Sequence, residues 1–580
     1  MRQKVERVRK DFDAASISSH DPASSSFRPH QNEDLEAMPQ RITRVTEDLK
    51  DLQNFYNISI SPLRRTRLHK YLSSELSSLQ STDFKSYDQE SKVDFLLLQN
   101  YLRRNLKQLR LDEEKDAKME VLLPFAGTIV NLCEDRQQMK EMDGEKAARQ
   151  LTSIKTGIME VRKEVEKIKI KVEKSSAYRA ANTIDELRGH LQEWYGFFNG
   201  YDPMFTWWVA KPYEMIDEEM KTFATFVREE FVGIKPGDTD AIVGEPIGRE
   251  GLLADLEAEM IPYSPEELIK IGENEYQWCE AEMKKASHDL GYDDWREALE
   301  YVKNLYVAPG KQTQLVRHLA NEAIDYVKKH DLITVPQVAE ETWRMFMMSP
   351  ERQKVNPFFL GGQSIIVSYP TDTMDHEDKL MIMRGNNIHF SRSTVFHEMI
   401  PGHHLQFYYM ARSRPYRKIF MTPFSTEGWA LYWEMILWDR NFPATPENKI
   451  GMLFWRMHRC ARIIFSVKFH LGLMTPQECI DMLVDMVGHE RMTAEGEVRR
   501  SFNGDYSPLY QAGYMLGALQ IYSLRKELVG SGKMEEKKFH DRFMRANRMP
   551  IEMLRALIED QKVKEDFKPT WRFYGDLGKE

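Results

Sequence analysis

Cysteine is scarce in this chain: Cys133, Cys279, Cys460 and Cys479 are the only four among 580 residues. No two of them stand at CxxC spacing, so a disulfide framework is excluded and a reduced, cytoplasmic protein is expected. The basic start, MRQKVERVRK, is followed by no apolar stretch, and no secretory signal is predicted. Runs of 18 apolar residues are also missing, which excludes a predicted membrane span. The sequon at Asn57 is then expected to be silent. Positive charge is not in excess: 81 Lys and Arg stand against 90 Asp and Glu, a net −9. That balance argues against nucleic acid or an anionic membrane as a main partner. Internal repeats are lacking. The glycines of 237–251 (GDTDAIVGEPIGREG) come without the lysine of a phosphate-binding loop.

What the chain does have is helical periodicity. Residues 1–37 are rich in Ser, Asp, Pro and His and read as a flexible tail. From Leu35 onward apolar residues recur at three and four, as in VDFLLLQNYLRRNLKQLRL. Ser264-Pro265-Glu266-Glu267 has the residues of a helix start: Ser as cap, Pro at the first position, Glu at the third. The expected architecture is mainly α. Two helical lobes, 38–255 and 256–580, would flank a deep cleft. Two apolar runs, Ser364–Pro370 and Leu380–Arg384, predict a small β hairpin beside the motif described next.

That motif is His397-Glu398-Met399-Ile400-Pro401-Gly402-His403-His404. A hydrolytic zinc site needs nitrogen or oxygen ligands, an open position, and a base beside the attacking water. The usual helical form sets two histidines four apart. Here His397 and His403 are six apart, which on an unbroken helix turns them roughly 120° away from each other. His404 returns to the same face but lies about 10.5 Å along the axis. Pro401 cannot donate to the carbonyl of His397, and Gly402 tolerates unusual dihedrals. A bulge is therefore predicted between Ile400 and His403, which would bring His403 to the metal, with His404 as the alternative ligand. A carboxylate on the next helix should complete the set. Glu427, in SerThrGluGlyTrpAlaLeuTyrTrpGlu, lies 24 residues on, with Ser425 or Thr426 expected to cap its helix. Glu434, seven residues later, would share the face of Glu427 and could orient a ligand histidine.

HEMIPGHHLQ and TEGWALYWE resemble the signatures of domain-of-unknown-function family 885, a group of zinc metallohydrolases of bacteria and fungi. The resemblance runs from about residue 40 to 575 and includes FFLGGQSIIVSYPT, RGNNIHFSRSTVFHE, MLFWRMHRCARIIFS, VGHERMTAEGEVRRSF and PLYQAGYMLG. The family is similar in outline to the helical gluzincin peptidases, such as dipeptidyl peptidase III, the angiotensin-converting enzymes and the Taq-type carboxypeptidases. It implies one Zn²⁺ on His397, His403 and Glu427, with Glu398 as general base. A family segment of the form P-G-Q-A-x-x-Y-x-x-G is kept here at Pro508, Tyr514 and Gly517. The intervening Leu509-Tyr510-Gln511-Ala512 departs from it, which leaves Tyr514 or Tyr510 to face the site.

The expected reaction is attack of water on an amide or peptide bond of a small substrate, with Glu398 carrying the proton. Tyr514 is the first choice to stabilise the oxyanion; His389, Tyr510 and His404 are the alternatives. Arg500 could hold a substrate carboxylate or pair internally with Glu497 or Glu490. His458 and His470, in a dense apolar run, read as satisfied core histidines. Two other functions fit the same sequence. One is an amide-processing or condensing enzyme of specialised metabolism; the other is a catalytically silent scaffold, which the intact ligand set argues against.

Overall fold

The structure, a computed structural model, describes residues 36–168, 172–238, 241–355, 358–503, 506–575 and 577. Most of the expected tail therefore lies outside the described residues. Of the described residues 71% are helical, so the chain is mainly α. Local sequence accounts for many helix starts. Ser264 caps Pro265–Asp289 in a reciprocal box with Glu267. Thr445-Pro446 and Thr475-Pro476 open two further helices in the same style, a hydroxyl cap followed by proline. Among the described residues no helix is long and apolar enough to cross a membrane.

The apolar core divides differently from the expected lobes. Residues of 119–232 build a core of their own, joined by Ile58. Residues of 38–102, by contrast, pack into one core with those of 252–573. The boundary at 255 therefore does not coincide with the division of the cores. The reason is the 31-residue helix Gln89–Met119, about 46 Å long. Its Val93–Leu102 stretch belongs to the large core, whereas Met119 belongs to the other. Buried Asp94 on this helix accepts from Arg417 Nε at 2.7 Å, tying the N-terminal helices to the site-bearing half.

Two helices of that half touch backbone to backbone. Pro423–Asp439 crosses Tyr510–Arg525 where both lack a side chain: a Cβ at Gly517 would lie 2.1 Å from the Phe424 carbonyl oxygen, and one at Gly428 2.6 Å from the Gly517 carbonyl carbon. This crossing brings Glu427 against Tyr510 and Tyr514.

The β element differs from the predicted hairpin. Strand β1, Arg344–Met347, pairs in parallel with β2, Ser364–Val367. Leu380–Arg384 is instead helical, within His376–Gly385. Leu380-Met381-Ile382-Met383 is apolar at every position and so has no strand alternation. Asp375 in front, Glu377 and Asp378 in the first turn and Arg384 in the last suit a helix. The small sheet does lie beside the motif helix: Ile365 and Val367 pack with Val395 and Met399.

Candidate metal centre

The motif helix Ile388–Glu398 starts on Asn387, whose side chain accepts from the backbone N–H groups of His389 and Phe390. It stops at Glu398, and a second helix begins at His403. Between them Met399 takes φ −110°, ψ −115° and Gly402 φ −78°, ψ −132°, neither helical. The Ile400–Pro401 peptide is cis. Gly402 N–H reaches back to the Phe396 carbonyl at 3.1 Å, and the Trp429 indole N–H holds the Pro401 carbonyl at 2.9 Å. The predicted bulge is thus a complete break, and the two histidines stand on separate helices. Glu427 comes from Pro423–Asp439. Thr422, not Ser425 or Thr426, caps that helix, because Pro423 fits its first position. Glu427 accordingly falls in the second turn.

The three side chains converge. His403 Nε2 lies 3.0 Å, and His397 Nε2 3.8 Å, from the same oxygen, Glu427 Oε2. The rings of His397 and His403 are 4.9 Å apart and nearly perpendicular. A tetrahedral zinc with bonds near 2.0–2.1 Å places its ligand atoms roughly 3.3 Å apart, so both separations suit one ion. Among the described residues these three form a buried group able to hold a metal. Glu434 Oε1 lies 2.7 Å from His397 Nδ1, which leaves Nε2 of that ring to face Glu427. Glu427 Oε1 accepts from the Tyr510 hydroxyl at 2.5 Å, so only Oε2 is turned to the histidines. Burial works to raise the Glu427 carboxyl, but His403 and His397 hold it well below the usual range. Burial opposes charge on His397, yet Glu427 and Glu434 carry it up to about 9. Glu398 is pushed up by burial, against the pull of His403 and His397. It lines the same pocket of about 740 Å³, roofed by Phe359–Gly362.

Gly402 is the tightest point of this geometry: a Cβ there would sit 1.8 Å from the His397 carbonyl oxygen. Gly402→Ala must push the two histidine-bearing segments apart. We expect a stability loss of about 1–3 kcal/mol together with weakened metal binding. Chemical denaturation and metal titration of the variant measure both; wild-type values in each would contradict this reading of the break.

The family described as "Bacterial protein of unknown function (DUF885)" matches residues 57–558. The chain belongs to the DUF885 family. Among solved structures, a "putative lipoprotein" of unknown function from Shewanella oneidensis is similar in fold to this DUF885 chain. Its TM-score is 0.66 at 16% identity, covering 90% of this chain and 99% of that one. A second so described, from Colwellia psychrerythraea, has a TM-score of 0.56 at 16% identity, covering 90% and 98%. No curated protein matches.

In this DUF885 protein the remaining predicted residues fall into two groups. Tyr510 and Tyr514 both line the pocket, but differently. The Tyr510 proton is engaged by Glu427. Tyr514 stacks on His397, its centroid 6.2 Å away at 16°, and its hydroxyl makes no hydrogen bond among the described residues. Burial and Glu427 raise both phenols, so each keeps its proton. Arg500 lines the pocket yet pairs with Glu497 at 2.7 Å. His404 points away, with its ring nitrogens 3.1 Å from the Gln363 carbonyl and 2.9 Å from that of Ala339. His389 lies outside the pocket lining, and its Nδ1 meets Asn448 Oδ1 at 2.7 Å. His458 and His470 are buried in the core, but His470 Nδ1 finds no partner among the described residues, and burial holds that ring down to about 3.

Sequence reasoning missed Arg459, Arg462 and Arg548, whereas Glu497 was anticipated as a partner of Arg500. Arg459 and Arg462 flank Tyr514, their guanidinium carbons 5.2 and 4.4 Å from its ring centroid. Two arginines three apart inside the apolar helix Pro446–His470 were a readable signal, since buried charges need partners. Arg548 sits in a loop and had no periodicity to reveal it.

Proposed function

We propose that this DUF885 protein is a zinc-dependent hydrolase of amide or peptide bonds in small substrates, with one zinc per chain. The observation that carries the reading is the meeting of His397 Nε2, His403 Nε2 and Glu427 Oε2 beside Glu398, a carboxyl outside the ligand set. Two imidazole nitrogens and one carboxylate oxygen are a zinc donor set that leaves a position open. The metal would supply Lewis acidity to the substrate carbonyl. Glu398 takes the proton of the attacking water and returns it to the leaving amine, a role suited to a carboxyl raised by burial. Tyr514 donates its free hydroxyl to the carbonyl oxygen as that oxygen gains charge. Glu434 keeps the His397 ring in place. A pocket of about 740 Å³ suits small substrates. The order of HE, histidine and a glutamate on the following helix supports the likeness to gluzincin peptidases. Both solved neighbours are described as a "putative lipoprotein", so the cytoplasmic location expected from the cysteines gains no support from them.

Elemental analysis of purified protein tests the site. Close to one zinc per chain is expected, lost in His403→Ala and kept in His404→Ala. Folded protein that binds no metal at any supplied concentration defeats the assignment. A peptide-library digest read by mass spectrometry then tests the reaction.

A further inference from the structure

Six arginines line the pocket: Arg352 is exposed, and Arg104, Arg459, Arg462 and Arg500 each face a carboxylate, Arg104 at 3.5 Å from Asp255. Arg459 lies 3.8 Å from Glu434, and Arg462 and Arg500 both hold Glu497, at 2.6 and 2.7 Å. Arg548 is different. It is 6% exposed and lines the pocket, but makes no ion pair among the described residues. Its Nη1 donates to Thr426 Oγ1 at 3.2 Å, and its Nε has no partner. Its guanidinium carbon stands 5.1 Å from the centroid of the Phe407 ring. Leaving a buried cation uncompensated is costly; burial draws this guanidinium down to about 10, against the opposing pull of Glu427.

The local backbone holds Arg548 in that place. Asn547, at φ +68°, lies in the left-handed region. Its amide nitrogen lies within 2.7–3.1 Å of the carbonyls of Met410, Ser413 and Arg414, and its Oδ1 accepts from Arg548 N at 2.7 Å. A segment fixed this firmly, presenting an unpaired planar cation to a pocket, is suited to a planar anion.

We propose that Arg548, with Thr426 beside it, binds a free carboxylate of the substrate. The role anticipated for Arg500 thus passes to Arg548. Because Thr426 directly precedes Glu427, the bound carboxylate lies next to the ligand set. The substrates are therefore short peptides or acyl amino acids cleaved near a free C-terminus, with Phe407 favouring an apolar side chain there. This assignment of substrate rests on the hydrolase reading above.

The test is calorimetric binding of N-acetylphenylalanine and of its C-terminal amide to the full chain as purified. The acid should bind about 10- to 100-fold more tightly than the amide. Arg548→Gln should erase that preference without lowering the thermal melt or the metal content; Arg352→Gln, at an exposed pocket arginine, should preserve it. Equal binding of acid and amide to the wild type overturns the proposal. So does a preference that survives Arg548→Gln and disappears in His403→Ala, which would assign the carboxylate to the metal. If Arg548→Gln fails to fold, Arg548→Lys serves, with a reduced preference expected and an unchanged one contradicting it. Failure of the hydrolase reading is seen separately, as absent zinc or an undigested library with the acid preference intact.

Discussion

Glu398→Gln should keep the metal complement of the wild type and lose about 10²- to 10⁴-fold in turnover. Glutamine matches the carboxyl in shape, so the change tests proton transfer and little else. The carboxyl has no hydrogen bond among the described residues, and the backbone of the pocket roof lies directly on it. A Cβ at Gly361 would be 1.7 Å from Glu398 Oε2. Such cover keeps solvent from one side of the group and accounts for the burial that raises it. Steady-state rates on a substrate taken from the peptide library, with zinc measured on the same sample, decide the matter. Loss of metal together with rate would make Glu398 a structural member of the centre; retained rate would move the base elsewhere.

The largest stability effect is expected at Glu497, away from the ligands. Its Oε1 accepts from Arg462 Nε at 2.6 Å and Gln511 Nε2 at 2.8 Å, its Oε2 faces Arg500 at 2.7 Å, and His458 Nε2 lies 3.5 Å off. Glu497, Arg462 and His458 are all buried. Burial acts to raise this carboxyl, but the two arginines hold it well below its usual range. Glu497→Gln keeps the volume but leaves two guanidiniums without their counter-ion, and should cost about 3–5 kcal/mol. Denaturant unfolding measures it, and a loss under about 1 kcal/mol would show that water already compensates these arginines. The double variant Glu497→Gln with Arg500→Gln should be less destabilised than the single one, since it strands one fewer charge.

The convergence of His397, His403 and Glu427 could be read because helix periodicity makes hard demands. Histidines six apart cannot share an ion on a continuous helix, so Pro401 and Gly402 had to interrupt it. A seven-residue interval likewise put Glu434 on the face of Glu427. Sequence does not state how far an interruption goes, and the break at Met399–Gly402 exceeds a bulge because Trp429, distant in sequence, fixes the Pro401 carbonyl. The same limit explains the sheet. The partner of Ser364–Val367 is Arg344–Met347, which shows no alternation in burial, while Leu380–Arg384 was captured by its flanking acids into a helix. Arg548 was invisible for a third reason. What makes it distinctive is a missing partner, and only packing reveals that.

The division of the cores has a consequence for synthesis. Helices of 38–102 emerge from the ribosome early and pack in part on one another, yet the rest of the surface they bury against lies in 252–573. The 119–232 core can close first, on its own residues apart from Ile58. At about 5–20 residues per second, the leading helices wait on the order of tens of seconds for their partners. Throughout that interval the faces that later meet 252–573 remain available to other chains. Crowded translation should therefore be more hazardous to this protein than its finished stability suggests, and a chaperone that shelters the first hundred residues would raise its yield.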